Sequence, residues 1–260
     1  MGSTKREIAH NFSPHGIIYK DGSIDRLNVV YAQEENLSSR LFLPTSVDAS
    51  KKLPLLLYYH GGGFCIETPF SLTYHSYLKT LVAEAEIIAV SVDYRRTPEH
   101  PIPVPYDDSW TALKWAASHV NGDGPEEWLN IHADFGRVYF AGDSAGGNIA
   151  HHMAMRYGQE RLPGINVAGT VLIHPYFWGK ERIGNEVNER EAMLVFIAGN
   201  DVLRDRGWLY YETLNKNGWG GKVEIMEAKE EVHVFHLSNP SSVNAVAMRR
   251  KFISFMHEDR

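Results

Sequence analysis

The sequence predicts an α/β fold, a mostly parallel sheet covered by helices on both faces. Three observations predict it. Short apolar runs alternate with helical stretches from about residue 53 onward, the order that builds parallel strands joined by crossover helices. The run Leu53–Tyr59 is apolar throughout and stops at a glycine cluster, as a strand buried on both faces does. The β-type run Gly136–Ala141 passes through Gly142-Asp143-Ser144-Ala145-Gly146 into the helical stretch Gly147–Ala154, so a sharp strand-to-helix turn falls on a serine.

Each element follows from its local pattern. Leu27–Ala32 and Leu37–Leu43 alternate apolar with polar residues around the polar turn Gln33-Glu34-Glu35-Asn36, which specifies a hairpin. Leu53–Tyr59 is the central strand. A helix through His75–Glu86 leads to the strand Ile87–Asp93, and a proline-rich loop precedes the helix Tyr106–His119. Val138–Ala141 carries the serine turn and the helix beyond it. Strands near Val167–His174 and Met193–Ala198, the helix Arg206–Lys216, the strand Lys222–Met226 and the helix Val243–Met256 complete the chain. Loops at the C-terminal ends of such strands form the sites of parallel sheets.

Composition narrows the function classes. With 260 residues the chain suits a single domain large enough to bury a substantial core. A net charge of −6 argues against nucleic acid or an anionic membrane as partner. No run approaches the 18 apolar residues of a spanning helix, and the N-terminus lacks the apolar core of a signal peptide, so a cytoplasmic protein is expected. The lone cysteine, Cys65, excludes an internal disulfide and is expected to be a small buried filler. No Cys, His, Asp or Glu spacing matches a metal site, and no glycine pattern matches a phosphate or dinucleotide cradle; neither metal nor cofactor is expected. His151 and His152 are adjacent on a helix and face different directions.

The chemistry these residues permit is acyl transfer. A serine on a strand-to-helix turn has its hydroxyl exposed, and the opening N–H groups of the helix point at the place where an anion would sit. Three consecutive glycines after His60 let the backbone aim further N–H groups at a ligand. Gly61, Gly62 and Ala145 are the expected oxyanion donors, each worth about 2.7–4 kcal/mol in a transition state. The serine needs a base, and the base a carboxylate, in chain order serine, acid, histidine. Asp201 follows the strand Met193–Ala198 and suits the acid; Asp205 reads as first-turn helix chemistry or an arginine partner. The base lies after Lys222–Met226, at His233 or His236. Arg95 is expected to pair with Asp143 or Glu99. Phe64, Tyr176, Phe177, Trp178 and Tyr210 are candidate pocket aromatics, though most aromatics are simply core.

These blocks carry a family resemblance. His60-Gly61-Gly62-Gly63-Phe64-Cys65, Ser91-Val92-Asp93-Tyr94-Arg95, Gly142-Asp143-Ser144-Ala145-Gly146-Gly147-Asn148, His174-Pro175-Tyr176-Phe177-Trp178-Gly179, Ala198-Gly199-Asn200-Asp201 and His233-Val234-Phe235-His236 stand in family order. The chain resembles plant carboxylesterases of the hormone-sensitive-lipase-like branch of the α/β-hydrolases, a group that also holds gibberellin receptors and 2-hydroxyisoflavanone dehydratases. The resemblance implies the α/β-hydrolase fold and hydrolysis of small or medium-sized esters. It places the base at His233, the first histidine of its block, beside Ser144 and Asp201. Dehydratase-like members commonly carry threonine at the serine position, and the receptors lose the base; this chain has Ser144 and His233. A non-hydrolytic binding protein or a degenerate member is the alternative. Relative to the family, the chain is short near its N-terminus and between Gly179 and Met193. Residues 1–26 are expected to form a lid-like segment, and 180–192 a reduced cap that leaves the site more open.

Overall fold

The computed structural model describes residues 8–11, 17–19, 24–32, 37–44, 51–177 and 192–258. Of the lid-like segment expected over 1–26, residues 8–11, 17–19 and 24–26 are described, all as strand; the cap expected over 180–192 lies outside the described residues except for Ala192, and Trp178 lies outside them too. The strands are β1 (Ile8–Asn11), β2 (Ile17–Tyr19), β3 (Ile24–Ala32), β4 (Leu37–Phe42), β5 (Leu53–Tyr59), β6 (Ile88–Asp93), β7 (Ala133–Asp143), β8 (Val167–Ile173), β9 (Ala192–Ala198) and β10 (Val223–Ala228). The helices are α1 (Leu72–Ala85), α2 (Val104–Ala117), α3 (Glu127–His132), α4 (Ala145–Gln159), α5 (Arg204–Lys216), α6 (Phe235–Ser238) and α7 (Val243–His257).

The strands form one sheet in the order β1-β2-β3-β4-β6-β5-β7-β8-β9-β10. From β6 to β10 every pairing is parallel, and the first four strands add an antiparallel meander at one edge. The chain leaves β5 for β6 on one side and returns to β7 on the other. The loops after β5 and β7 therefore part company above the sheet, at the point where such folds open a crevice.

Strand β5 shows why its sequence is apolar at every position. Leu53, Leu55, Leu57 and Tyr59 pack on one face with Trp110 and Leu113 of α2 and Ile149 of α4. Leu56 and Tyr58 pack on the other with Leu78 and Leu81 of α1 and Phe252 of α7. A strand with two covered faces has no polar side to show. Helix α4 buries Ile149, Ala150, Met153, Ala154 and Tyr157, the spacing of one helical stripe. Helix α7 starts where Ser242 Oγ accepts the Ala245 N–H at 3.1 Å.

The expected elements all occur, with shifted ends. Helix α2 starts inside the proline-rich loop, because Pro105 falls in the first turn, where its missing N–H costs nothing. Strand β7 begins earlier than expected, across a register shift opposite Pro54 and Leu55. Strands β1 and β2 and the short helices α3 and α6 were not anticipated. Helix α3 is capped by Glu126, whose carboxylate accepts the Trp128 N–H at 3.2 Å.

Candidate active site

Ser144 joins the end of β7 to the start of α4 at φ 53° and ψ −117°. Non-glycine residues rarely occupy that region, and holding one there costs on the order of 1–3 kcal/mol. Three backbone bonds hold it. The Ser144 N–H donates to the Ile173 carbonyl at 2.9 Å, and its own carbonyl accepts the N–H groups of Tyr176 at 2.9 Å and Asn148 at 3.1 Å. The flanking glycines are required by proximity. A Cβ on Gly146 would overlap the carbonyl oxygens of Tyr59 and His60, and one on Gly142 would overlap the Gly146 carbonyl. The Ser144 side chain lines a cavity of about 620 Å³.

The glycine loop after β5 forms a wall of the same cavity through Gly62 and Gly63. Gly62, Gly63 and Phe64 all have positive φ, at 99°, 62° and 65°, a path that glycine makes accessible. His60 is fully buried and shapes this loop. Its Nδ1–H donates to the Gly61 carbonyl at 2.8 Å, and its ring stacks on Tyr94 at 4.2 Å. Burial pushes the His60 pKa down to about 3, so it is neutral. The expectation that Gly61 is an anion donor is overturned. The Gly61 N–H is already donated to the Tyr74 hydroxyl at 2.8 Å, and Gly61 does not line the cavity. The N–H groups of Gly62, Gly63 and Ala145 have no acceptor among the described residues.

Asp201 follows β9, and His233 follows β10. His233 Nδ1 donates to Asp201 Oδ2 at 2.6 Å, while Asp201 Oδ1 accepts the Leu203 N–H at 2.9 Å. Burial works to raise the Asp201 pKa, but the hydrogen bonds from His233 and Leu203 outweigh it and hold the carboxyl below its usual range. An ionised Asp201 fixes the proton on Nδ1 of His233 and leaves Nε2 as an acceptor. His233 lines the cavity together with Ser144. Its neighbour Val234 is strained, at φ 49°, and the Val234 N–H is taken up by His174 Nδ1 at 2.9 Å. His174 stands beside a proline directly after the end of β8 and gave no sequence signal of a place at this site. It is 1% exposed and lies 5.8 Å from the His233 ring, centroid to centroid. Burial, then the neighbouring histidine charges, push its pKa well down.

His174, Asp201 and His233 each offer a potential metal-ligating atom, all within 4.8 Å of one another. Sequence spacing gave no hint of this grouping. Asp201 and His233 are, however, already bonded to each other, and His174 Nδ1 to Val234.

The residues around the site depart from expectation in two places. Arg95 pairs with Asp108, not with Asp143 or Glu99, at 2.6 and 2.9 Å through two guanidinium nitrogens. Cys65 is exposed rather than buried, with its Sγ 2.9 Å from Thr97 Oγ1. Phe64, Tyr176, Phe177 and Tyr210 pack on core neighbours, as expected of most aromatics, and among the described residues Tyr74 is the tyrosine that lines the cavity. Asp205 does lie in the first turn of α5, 3.1 Å from Arg204.

The profile of the α/β-hydrolase fold family matches residues 56–193 and 183–237. The chain belongs to that family. Within it, the chain is a hydrolase of the plant carboxylesterase group. It is 44% identical to Probable carboxylesterase 1 of Arabidopsis thaliana, over 97% of this chain and 98% of the relative. It is 42% identical to Probable carboxylesterase 7 of the same plant, over 96% and 99%. The 2-hydroxyisoflavanone dehydratase of Glycine max is 37% identical over 96% and 99%. The alignment with Probable carboxylesterase 1 runs over 313 positions against the 260 residues here, so that relative has stretches with no counterpart in this chain. A hyperthermophilic esterase from Pyrobaculum calidifontis superposes with a TM-score of 0.70 at 23% identity, covering 88% of this chain and 84% of that one, a likeness of fold. Among the described residues no helix is long and apolar enough to cross a membrane.

Proposed function

We propose that this chain hydrolyses small or medium-sized carboxylic esters, with Ser144 as nucleophile, His233 as base and Asp201 as the acid that orients it. One observation carries the reading: the 2.6 Å bond between His233 Nδ1 and Asp201, with His233 and Ser144 lining one cavity. A cavity of about 620 Å³ suits a ligand of that size class, within the roughly 300–1,000 Å³ usual for small-molecule sites.

The Ser144 oxygen attacks the ester carbonyl carbon as its proton passes to His233 Nε2. The carbonyl oxygen becomes an oxyanion, and Gly62, Gly63 and Ala145 donate to it in place of the set that included Gly61. The C–O bond to the alcohol breaks, and the alcohol leaves with the proton from His233. An ester of Ser144 remains. Water then attacks that ester, gives its proton to His233, and releases the acid as the proton returns to Ser144. Asp201 stays ionised and stabilises the imidazolium in both halves. The charge it opposes is absent from the ground state and present through the transition states and tetrahedral intermediates, which makes its contribution one of rate rather than of substrate binding.

Intact-mass labelling with a fluorophosphonate tests the reading. Wild type should gain one adduct, Ser144→Ala none, and both His233→Ala and Ser144→Ala should lose turnover of a short-chain aryl ester by about 10³-fold or more. A folded wild type that takes no adduct and turns over no ester would sink the proposal and favour a binding protein instead.

A further inference from the structure

Asp143 and Tyr74 have no part in the steps above, yet together they join the serine turn to the glycine loop. Asp143 is 1% exposed and immediately precedes Ser144. Its two carboxylate oxygens each accept a tyrosine hydroxyl at 2.8 Å, Oδ1 from Tyr58 of β5 and Oδ2 from Tyr74 of α1. A hydroxyl has one proton. Because the Tyr74 proton goes to Asp143, the Tyr74 oxygen is an acceptor for its other neighbour, and that neighbour is the Gly61 N–H. At the other end of the same residue, the Gly61 carbonyl accepts from His60 Nδ1–H at 2.8 Å. The preceding His60 carbonyl accepts the Tyr94 hydroxyl at 2.7 Å. The peptide planes on both sides of Gly61 are thus held, and the second of them carries the Gly62 N–H. A side chain at position 61 would collide with Asp143 Oδ2, so the contact between loop and carboxylate is closed.

We propose that Tyr74 is a positioning residue: it ties the Gly61 peptide to the carboxylate beside Ser144 and so aims the anion-binding N–H groups at the atom Ser144 attacks. The proposal rests on the esterase reading of the site. Its neighbours supply the control. Tyr58 donates its one hydroxyl proton to the same carboxylate, through the other oxygen, and among the described residues its hydroxyl has no hydrogen bond to the loop. Burial, opposed by the two tyrosine bonds, raises the Asp143 pKa to about 6, which agrees with a carboxylate that has little besides these hydroxyls to stabilise its charge.

The test compares wild type, Tyr74→Phe and Tyr58→Phe on three readouts: kcat, KM and the Ki of 1,1,1-trifluoro-2-octanone. Serine adds to that ketone to form an oxyanion, so its Ki reports the aim of the donors while KM reports general contact. Tyr74→Phe should lower kcat about 10–100-fold, less than the loss of a whole donor, with KM within about threefold. The ketone Ki should rise by the same factor as kcat falls. Tyr58→Phe should change both several-fold less. Should Tyr74→Phe not fold, as judged by near-UV circular dichroism, Asp143→Asn takes its place and should shift kcat and Ki together. Unchanged kcat and Ki in a folded Tyr74→Phe, a rise in KM alone, or an equal loss in Tyr58→Phe would each overturn the proposal. If wild type itself takes no fluorophosphonate, the esterase reading has failed, and that result is separate from any of these.

Discussion

His233 binds Asp201 with one ring nitrogen and lines the cavity, whereas His236, three residues on, is 2% exposed with neither ring nitrogen hydrogen-bonded to any of the described residues. Tyr77 packs edge-on against the His236 ring at 5.0 Å. Burial, then the charge of His233, pushes the His236 pKa down to about 3. The sign of the effect follows. A histidine that stays neutral in the folded state contributes stability above its unfolded pKa near 6.5, and loses it as pH falls toward 3, because the unfolded chain binds the extra proton. His236→Phe should therefore flatten the acid limb of urea-melt stability by about 1.4 kcal/mol per pH unit between pH 3 and 6.5, while keeping the fluorophosphonate adduct. An unaltered slope would mean that His236 is not held neutral. Of the residues named from sequence, Asp201 and His233 are bonded and His233 shares a cavity with Ser144, because chain order and strand ends fix their neighbourhood. Gly61 could not be assigned from sequence. Whether a backbone N–H is free depends on a tyrosine 13 residues away, and no local spacing records that. Cys65 failed likewise, since composition says how often cysteine is buried and not where this loop turns outward.

At the scale of elements, the site depends on how tightly α4 starts against the end of β5. Gly146 lies where a single methyl group would overlap backbone oxygens of Tyr59 and His60, which have no room to retreat inside the sheet. Gly146→Ala should cost about 1–3 kcal/mol or more in chemical denaturation and, by pushing α4 outward, should slow fluorophosphonate labelling of Ser144. Retained stability together with wild-type labelling would show that the helix start has slack. The parallel strands and their helices were legible because each one buries a face or both faces, which writes a pattern into the sequence. Strand β5 is the strongest case. Helices α3 and α6 were missed because six and four residues are too few to display a helical stripe. Helix α2 was begun late because its first turn contains a proline, which reads as loop until the cap is seen.

For the whole molecule, charge is the property that acts over distance. The chain bears a formal charge of −6, and among the described residues lining the cavity Glu67 is the one carboxylate besides the buried Asp143, with no lysine or arginine among them. Esters with a free carboxylate should be poor substrates. A matched pair of aryl esters, one neutral and one a half-ester of a dicarboxylic acid, should differ severalfold in kcat/KM, about 1 kcal/mol for one charge pair near 4 Å in water. Added salt and Glu67→Gln should both narrow the gap. Equal kcat/KM values at low salt would remove any role for this field. One further property follows from the outward turn at Cys65. It is the only cysteine among the 260 residues, it is exposed, and it stands between Gly63 and Ile66, which both line the cavity. A maleimide dye would therefore attach at a single address beside the mouth, and the wild-type protein can serve as its own optical sensor of occupancy without any engineered thiol.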